Sequence, residues 1–125
     1  MMKVSVVGCG NISKTHLPIL QSIPGVEISS VVDIKPERAD LAGEKYGCRA
    51  FYDFDAMLAA DRPDSIHICT PHYLHTEMAV KALKNSINVL CEKPCAITKG
   101  EIAALKEAAS KSSALFGVCF QNRYN

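Results

Sequence analysis

Two glycines near the amino terminus lie where a backbone could approach a phosphate group. The apolar run Val4-Ser5-Val6-Val7 ends in Gly8-Cys9-Gly10, and positions with helical spacing begin at Ile12. Gly8 permits a tight turn after the strand, and Gly10 lets the backbone come close to a pyrophosphate. A strand that passes through such glycines into a helix is typical of a dinucleotide site.

The start of this helix and the end of the next strand complete the pattern. The free N–H groups at the helix start, which includes Asn11 and Ile12, attract the negative charge of a pyrophosphate. Ser13 stands where a third glycine is usual and is still small enough for close packing of helix and strand. Asp33 follows Ser13 by 20 residues, where its carboxylate can accept hydrogen bonds from the hydroxyls of an adenosine ribose. A plain strand-to-helix turn with a solvated Asp33 is the alternative interpretation.

Asp33 also bears on which dinucleotide binds. Its carboxylate repels the 2′-phosphate of NADP, so NAD is the predicted cofactor. Lys35 and Arg38 follow closely, and either cation could reach a 2′-phosphate. NADP therefore stays possible.

Two further polar segments follow the fourth and fifth predicted strands. Thr70-Pro71-His72 comes after the fourth strand, with His75 three positions further on, and Glu92-Lys93-Pro94 comes after the fifth. Both segments therefore lie at the carboxyl edge of the predicted sheet. Ligands of doubly wound α/β folds bind at that edge.

Six short apolar runs alternate with helical patterns along the chain. The runs predict strands at 4–7, 26–32, 49–52, 65–69, 87–91 and 114–120. Residues typical of helix ends mark the boundaries of the intervening helices: Pro36, Gly47, Asp53, Thr98 and Glu101. Pro18 should kink or shorten the first helix. The alternation predicts one doubly wound α/β domain of Rossmann type over residues 1–120, with a mostly parallel six-stranded sheet covered by helices on both faces.

Together these motifs resemble those of the glucose-fructose oxidoreductase, inositol dehydrogenase and rhizopine-catabolism (Gfo/Idh/MocA) family. The resemblance covers essentially the whole chain and rests on the order of the glycine turn, Asp33, Thr70-Pro71 with His75, and Glu92-Lys93-Pro94. It implies the strand order 3-2-1-4-5-6. It also implies NAD(P)-dependent oxidation or reduction at a carbinol carbon of a sugar, cyclitol or related polyol.

The resemblance assigns the catalytic role to Lys93, near the nicotinamide and the reacting oxygen. An ammonium there can stabilise the developing oxyanion or relay the hydroxyl proton. Glu92 would orient Lys93, Pro94 would fix the chain, and all three would border the cofactor. Taken alone, the tripeptide could equally be an exposed ion pair before a turn.

The segment after the fourth strand would line the cofactor cleft in such a family member. Thr70 and Pro71 match the family motif, and His75 matches its downstream histidine. His72 stands where the family more often has Asn, and it still offers a donor and an acceptor when neutral. The remaining histidines, His16 and His67, fall on apolar stripes and are interpreted as packing residues.

Composition limits the classes of partner. The chain has 125 residues, 48% of them hydrophobic, and 14 Lys and Arg against 13 Asp and Glu give a net charge of +1. Such a balance offers no field to attract nucleic acid or an anionic membrane. No run approaches the roughly 20 apolar residues of a membrane span, and no signal-peptide pattern opens the chain. We therefore expect a cytoplasmic protein that recognises a small molecule, without nucleic acid or membrane partners.

The cysteines stand at positions 9, 48, 69, 91, 95 and 119, without a CxxC pair. They are interpreted as reduced and mostly buried small side chains, with no metal site. In the implied strand order, Cys9, Cys69, Cys91 and Cys119 lie near the carboxyl ends of neighbouring strands. One hypothesis is that modification of these thiols blocks cofactor binding.

Members of the resembled family carry a second α/β domain that forms the substrate pocket and much of an oligomer interface. Residues 121–125 resemble the junction to that domain. We therefore expect a fragment that is inactive alone, from a homo-oligomeric parent that binds its polyol or sugar through the missing domain. A non-catalytic dinucleotide-binding or sensor module is the alternative, although a sensor needs no Lys93. A doubly wound methyltransferase would leave Thr70-Pro71 and Glu92-Lys93-Pro94 unexplained.

Overall fold

The computed structural model describes residues 1–10, 13–70, 75–92 and 98–119 of the chain. Strands and helices alternate strictly along these residues. In chain order they are β1 (Met2–Val7), α1 (Ser13–Ser22), β2 (Val26–Val32), α2 (Pro36–Tyr46), β3 (Arg49–Phe51), α3 (Phe54–Ala60), β4 (Ser65–Ile68), α4 (His75–Lys84), β5 (Asn88–Glu92), α5 (Lys99–Lys111) and β6 (Phe116–Cys119).

The six strands form one sheet in the order β3-β2-β1-β4-β5-β6. Every pairing between neighbours is parallel. Parallel neighbours require crossover connections, and a helix supplies each one. The predicted Rossmann-type α/β fold and its strand order are confirmed.

The helix ends follow the chemistry of their boundary residues. Gly47 adopts the left-handed conformation (φ 65°) and caps α2. The Asp53 carboxylate accepts a hydrogen bond from the Ala56 N–H at the start of α3. Thr98 and Glu101 exchange the two hydrogen bonds of a capping box at the start of α5. Each of these predicted caps is confirmed.

Helix α1 continues through Pro18 to Ser22. Of the two effects expected of Pro18, shortening of the helix does not occur. Leu17 and Leu20 of α1 are buried on either side of the proline, so packing against the sheet holds the helix together where Pro18 donates no hydrogen bond. No described helix is long and apolar enough to cross a membrane.

Two hydrophobic clusters cover opposite faces of the sheet. The first packs α1 and α2 against β1 and β2, with Val6 and Val31 at its centre. The second packs α3, α4 and α5 against β1, β2, β4 and β5, around Met57, Ile66 and Ile68. Among the described residues, β4 and β5 therefore bury apolar side chains on one face only. The predicted helical cover of both sheet faces is complete over β1 and β2.

A buried carboxylate at the end of α3 joins β1 and β2. Asp61 is 7% exposed and accepts hydrogen bonds from the hydroxyls of Ser29 at 2.6 Å and Ser30 at 2.8 Å. Lys3 Nζ lies 3.4 Å from the other carboxylate oxygen, and the Ser30 and Ser5 hydroxyls are 2.8 Å apart. The serines that bind Asp61 are distant from it along the chain, so the sequence alone does not predict this network.

Candidate functional site

The glycine turn is tied to both neighbouring strands at the carboxyl edge of the sheet. The Gly8 N–H donates to the Val32 carbonyl at the end of β2, and the Cys69 N–H donates to the Val7 carbonyl at the end of β1. Both distances are 2.7 Å. These bonds continue the parallel ladder past the last paired residues, so the segments after β1, β2 and β4 meet at one place.

Gly8 is required by both its conformation and its contacts. Its φ is +95°, which side chains other than glycine rarely adopt. A Cβ atom at this position would lie 2.8 Å from both the Cys69 carbonyl carbon and the Thr70 nitrogen. The missing side chain therefore lets the glycine turn pack directly on the backbone that follows β4.

Gly10 and Ser13 shape the start of α1. Ser13 is 1% exposed, and its hydroxyl donates to the Gly10 carbonyl at 2.6 Å. The expectation that Ser13 can replace the third glycine in close packing is confirmed. Around Gly10, the nearest atom to an added Cβ is Arg38 Nη1 at 3.9 Å, so the backbone is open to a ligand. The predicted ligand residues Asn11 and Ile12 lie outside the described residues.

Asp33 is bonded to the glycine turn and to its own loop. One carboxylate oxygen accepts the Cys9 N–H and the other accepts the Lys35 N–H, both at 2.9 Å. Each oxygen keeps a second lone pair, so a ribose hydroxyl can still donate to it. The ribose contact is predicted from the sequence, whereas the bond to Cys9, which fixes Asp33 beside the turn, is visible only in the fold.

Arg38 brings positive charge to the glycine turn. Its guanidinium and the side chains of Lys14 and Lys45 line a cavity of 470 Å³ between α1 and α2, which reaches Cys9 and Gly10. No acidic side chain borders the cavity within the described part of the chain. The cavity therefore favours an anionic group beside Asp33.

The thiols near the site are poor nucleophiles. Burial, and after it the charge of Asp33, raises the pKa of Cys9 to about 12, and burial raises the pKa of Cys48 to about 11. Cys91 is fully buried on the α4 side of the sheet, so it does not line an accessible crevice as expected. Cysteines 9, 48, 69 and 91 are not in disulfide bonds, and the described residues contain no group of three metal-ligating side chains.

His75 and Thr70 are joined across the start of α4. His75 is 2% exposed, and its Nε2 lies 2.6 Å from the Thr70 carbonyl oxygen. The Thr70 hydroxyl donates to Met78 Sδ at 3.6 Å. The predicted site residues Pro71 and His72 lie between them in sequence and fall outside the described ranges.

The end of β5 carries the chain to the same edge. Glu92 is the last residue of β5 and pairs with Cys119 of β6. Lys93 and Pro94 follow it directly in sequence and are not among the described residues. The catalytic role of Lys93 stays a prediction.

The two histidines interpreted as packing residues contact each other. His16 Nδ1 and His67 Nδ1 are 3.0 Å apart, and the rings meet edge to face. Burial, and after it the charge of His16, lowers the pKa of His67 to about 4. His67 is therefore neutral at pH 7 and serves to join α1 to β4.

Residues 2–120 match the family described as "Oxidoreductase family, NAD-binding Rossmann fold", Gfo/Idh/MocA. Among curated proteins, the chain is 31% identical over 124 residues to a glucose-6-phosphate 3-dehydrogenase of Bacillus subtilis, covering 99% of this chain and 35% of that protein. It is 32% identical over 124 residues to an inositol 2-dehydrogenase of Rubrobacter xylanophilus, covering 98% and 36%. The chain thus spans about a third of the length of these relatives.

Solved structures show the same fold. The WlbA dehydrogenase from Bordetella pertussis, in complex with NADH and UDP-GlcNAcA, superposes with a TM-score of 0.93 at 30% identity, covering 99% of this chain and 38% of that one. A 3-ketoreductase from Actinomadura kijaniata, in complex with TDP-benzene and NADP, superposes with a TM-score of 0.89 at 26% identity, covering 99% and 40%.

Proposed function

We propose that the chain binds the dinucleotide of an NAD(P)-dependent dehydrogenase, because it belongs to the Gfo/Idh/MocA family of oxidoreductases with its NAD-binding Rossmann fold. The reaction transfers a hydride between the nicotinamide and the CH–OH carbon of a sugar, cyclitol or related polyol. Relatives that act on glucose 6-phosphate and inositol support this substrate class.

The observation that carries the proposal is the construction of the glycine turn. Gly8 has no room for a Cβ against Thr70, and Asp33 is bonded to the Cys9 N–H. Meanwhile Gly10 is open at the start of a ten-residue helix. A turn held against the segments that follow β2 and β4, and open at Gly10, fits a pyrophosphate at a helix N-terminus.

Each residue has a distinct role in this reaction. The backbone at Gly10, with Asn11 and Ile12, holds the pyrophosphate, and Asp33 accepts hydrogen bonds from the adenosine ribose. Thr70, Pro71 and His72 border the nicotinamide half.

The three residues after β5 complete the nicotinamide end of the site. When bound, NAD supplies the hydride acceptor. Lys93 holds or relays the proton at the substrate hydroxyl oxygen, while Glu92 and Pro94 set its position.

The proposal also covers the domains, assembly and location of the active protein. On this proposal, residues 1–120 form the dinucleotide domain, and a second domain reached through residues 121–125 holds the substrate. The assembled protein is a cytoplasmic homo-oligomer. The reduced state of Cys9, Cys48, Cys69 and Cys91 fits a reducing compartment.

Calorimetric titration of the chain with NAD and with NADP tests the cofactor assignment. We expect binding of NAD, and absence of binding to both dinucleotides would contradict the proposal.

Replacement of Lys93 in the protein that includes the substrate domain tests the chemistry. Lys93→Met should abolish turnover while NAD binding persists, whereas Lys99→Met, at an exposed position in the first turn of α5, should leave both unchanged. Unchanged turnover in Lys93→Met would favour a non-catalytic sensor module.

A further inference from the structure

We infer that His75 is a positioning residue of the dinucleotide site, which acts through the Thr70 carbonyl rather than by direct contact with the cofactor. This inference rests on the proposed function. It assigns to His75 a task different from the cleft-lining role that the family resemblance implies.

The hydrogen bond between His75 and Thr70 defines the geometry. A carbonyl oxygen only accepts, so His75 Nε2, at 2.6 Å, must carry the proton. The ring is 2% exposed and belongs to the first residue of α4. A side chain this deeply buried presents almost no surface to a bound cofactor, but it fixes the backbone oxygen to which it donates.

The Thr70 backbone also packs on the glycine turn. Its nitrogen lies 2.8 Å from the place that a Gly8 Cβ would occupy, and the preceding Cys69 N–H donates to the Val7 carbonyl. The Thr70 backbone is therefore fixed both by its packing on the glycine turn and by the hydrogen bond from His75.

The hydrogen bond fixes the Thr70 backbone relative to the first residue of α4. Because the Thr70 backbone packs on the glycine turn, a shift of Thr70 would shift a wall of the proposed dinucleotide site. Binding sites lose affinity when their walls shift by about 1 Å. The bond therefore acts on cofactor affinity without touching the cofactor.

Packing alone does not account for a histidine here. The ring is buried, and leucine would fill a similar volume in the core. The specific property that histidine adds is an Nε2–H donor at the correct reach for the Thr70 carbonyl.

Three substitutions separate positioning from packing. His75→Gln keeps a donor near the Nε2 position, His75→Asn has a donor that falls short, and His75→Leu has none. The dissociation constants for NAD are measured by calorimetry, and melting temperatures are measured in parallel. We expect His75→Leu and His75→Asn to raise the NAD dissociation constant roughly three- to tenfold, the worth of one hydrogen bond, and His75→Gln to stay within about twofold.

Met78→Leu serves as the matched control, because Met78 contacts the Thr70 side chain and not its carbonyl. It should leave the NAD dissociation constant within about twofold. Hydrogen exchange of the backbone next to Thr70, without cofactor, should be faster in His75→Leu and His75→Asn than in His75→Gln.

The possible failures are distinguishable. If the unaltered chain binds neither NAD nor NADP, the proposed function fails and this inference fails with it. If the unaltered chain binds NAD and all three His75 variants bind equally well, only the inference is overturned. The inference is also overturned if all three variants lose NAD affinity in proportion to their loss of melting temperature, and His75→Gln binds no better than His75→Leu.

Discussion

The Cys9 backbone N–H donates a hydrogen bond to the Asp33 carboxylate at 2.9 Å. The glycine turn after β1 is thereby fastened to the loop after β2, where the second carboxylate oxygen accepts the Lys35 N–H. One side chain thus holds the glycine turn and the proposed ribose site in a fixed relation. The proposed cofactor contacts and the local fold depend on the same carboxylate.

Replacement of this carboxylate should affect both stability and cofactor choice. Asp33→Asn keeps one acceptor oxygen and loses one of the two backbone bonds, at a cost of about 1–2 kcal/mol in the free energy of unfolding. It also removes the charge that repels a 2′-phosphate, so the ratio of NADP to NAD affinity should rise. Urea unfolding and calorimetry measure the two effects. Asp55→Asn, which alters an exposed carboxylate paired with Lys81, should change neither.

The close packing of Gly8 predicts a large loss of stability when a methyl group is added. Gly8→Ala combines an unfavourable φ of +95° with backbone contacts at 2.8 Å, so we expect a loss of about 3 kcal/mol or more. Gly25→Ala is the matched control, because Gly25 has a similar φ of +83° and nothing within 4 Å. It should cost only about 1 kcal/mol. Equal melting temperatures for the two variants would contradict the clash with Cys69 and Thr70.

The sequence predicted the elements well because their signals are local. Caps such as Asp53 and Thr98 act within one turn, and each strand is a short run between recognisable breakers. The glycine turn and Asp33 were identified because their spacing along the chain is fixed by one βαβ unit.

What the sequence could not predict are contacts between residues far apart along the chain. The bond between His75 and the Thr70 carbonyl, the clash that excludes a Cβ at Gly8, and the burial of Asp61 all depend on how elements pack. Pro18 does not end α1 for a related reason, since the burial of α1 against the sheet outweighs one lost backbone hydrogen bond.

Arg38 should distinguish the two dinucleotides. Its guanidinium lies beside Gly10 in a cavity without acidic lining among the described residues, and a 2′-phosphate would bring two negative charges to it. Arg38→Ala should weaken NADP roughly tenfold and NAD less than threefold, as measured by calorimetry at fixed salt. Lys45→Ala removes a cation from the same cavity that lies further from Gly10 than Arg38 does. It should therefore weaken NADP binding less than Arg38→Ala does. An equal loss for both dinucleotides would exclude a 2′-phosphate role for Arg38.

The cysteine thiols should resist alkylation at neutral pH. With pKa values of about 12 for Cys9 and about 11 for Cys48, almost none of either thiol is deprotonated at pH 7.5, whereas a free cysteine has a pKa near 8.5. Iodoacetamide followed by peptide mass mapping should leave both largely unmodified in the folded chain and label them in urea. NAD binding after brief treatment should therefore be retained. Rapid labelling of Cys9 with loss of binding would restore the hypothesis that thiol modification blocks the site.

The buried Asp61 should make stability sensitive to acid. Burial alone would raise the pKa of this carboxyl, but hydrogen bonds from Ser29 and Ser30 and the charge of Lys3 outweigh it, so the pKa lies below its ordinary value. Because the folded pKa is below the unfolded one, the stabilisation is complete above the unfolded pKa, about 4, and is lost as pH falls through the folded value.

Asp61→Asn removes the titratable charge and replaces one of the two acceptor oxygens with an NH₂ donor. It should therefore lower the free energy of unfolding at pH 7 by about 1–2 kcal/mol. The difference between the variant and the unaltered chain should shrink as pH falls from 5 to 3 in a series of urea unfolding curves. Asp64→Asn is the comparison, because Asp64 is an exposed carboxylate that accepts the Lys3 N–H and lies outside the serine network. A difference for Asp61→Asn that stays constant across this pH range would show that the Asp61 charge contributes nothing, and that only its hydrogen-bonding shape stabilises the strands.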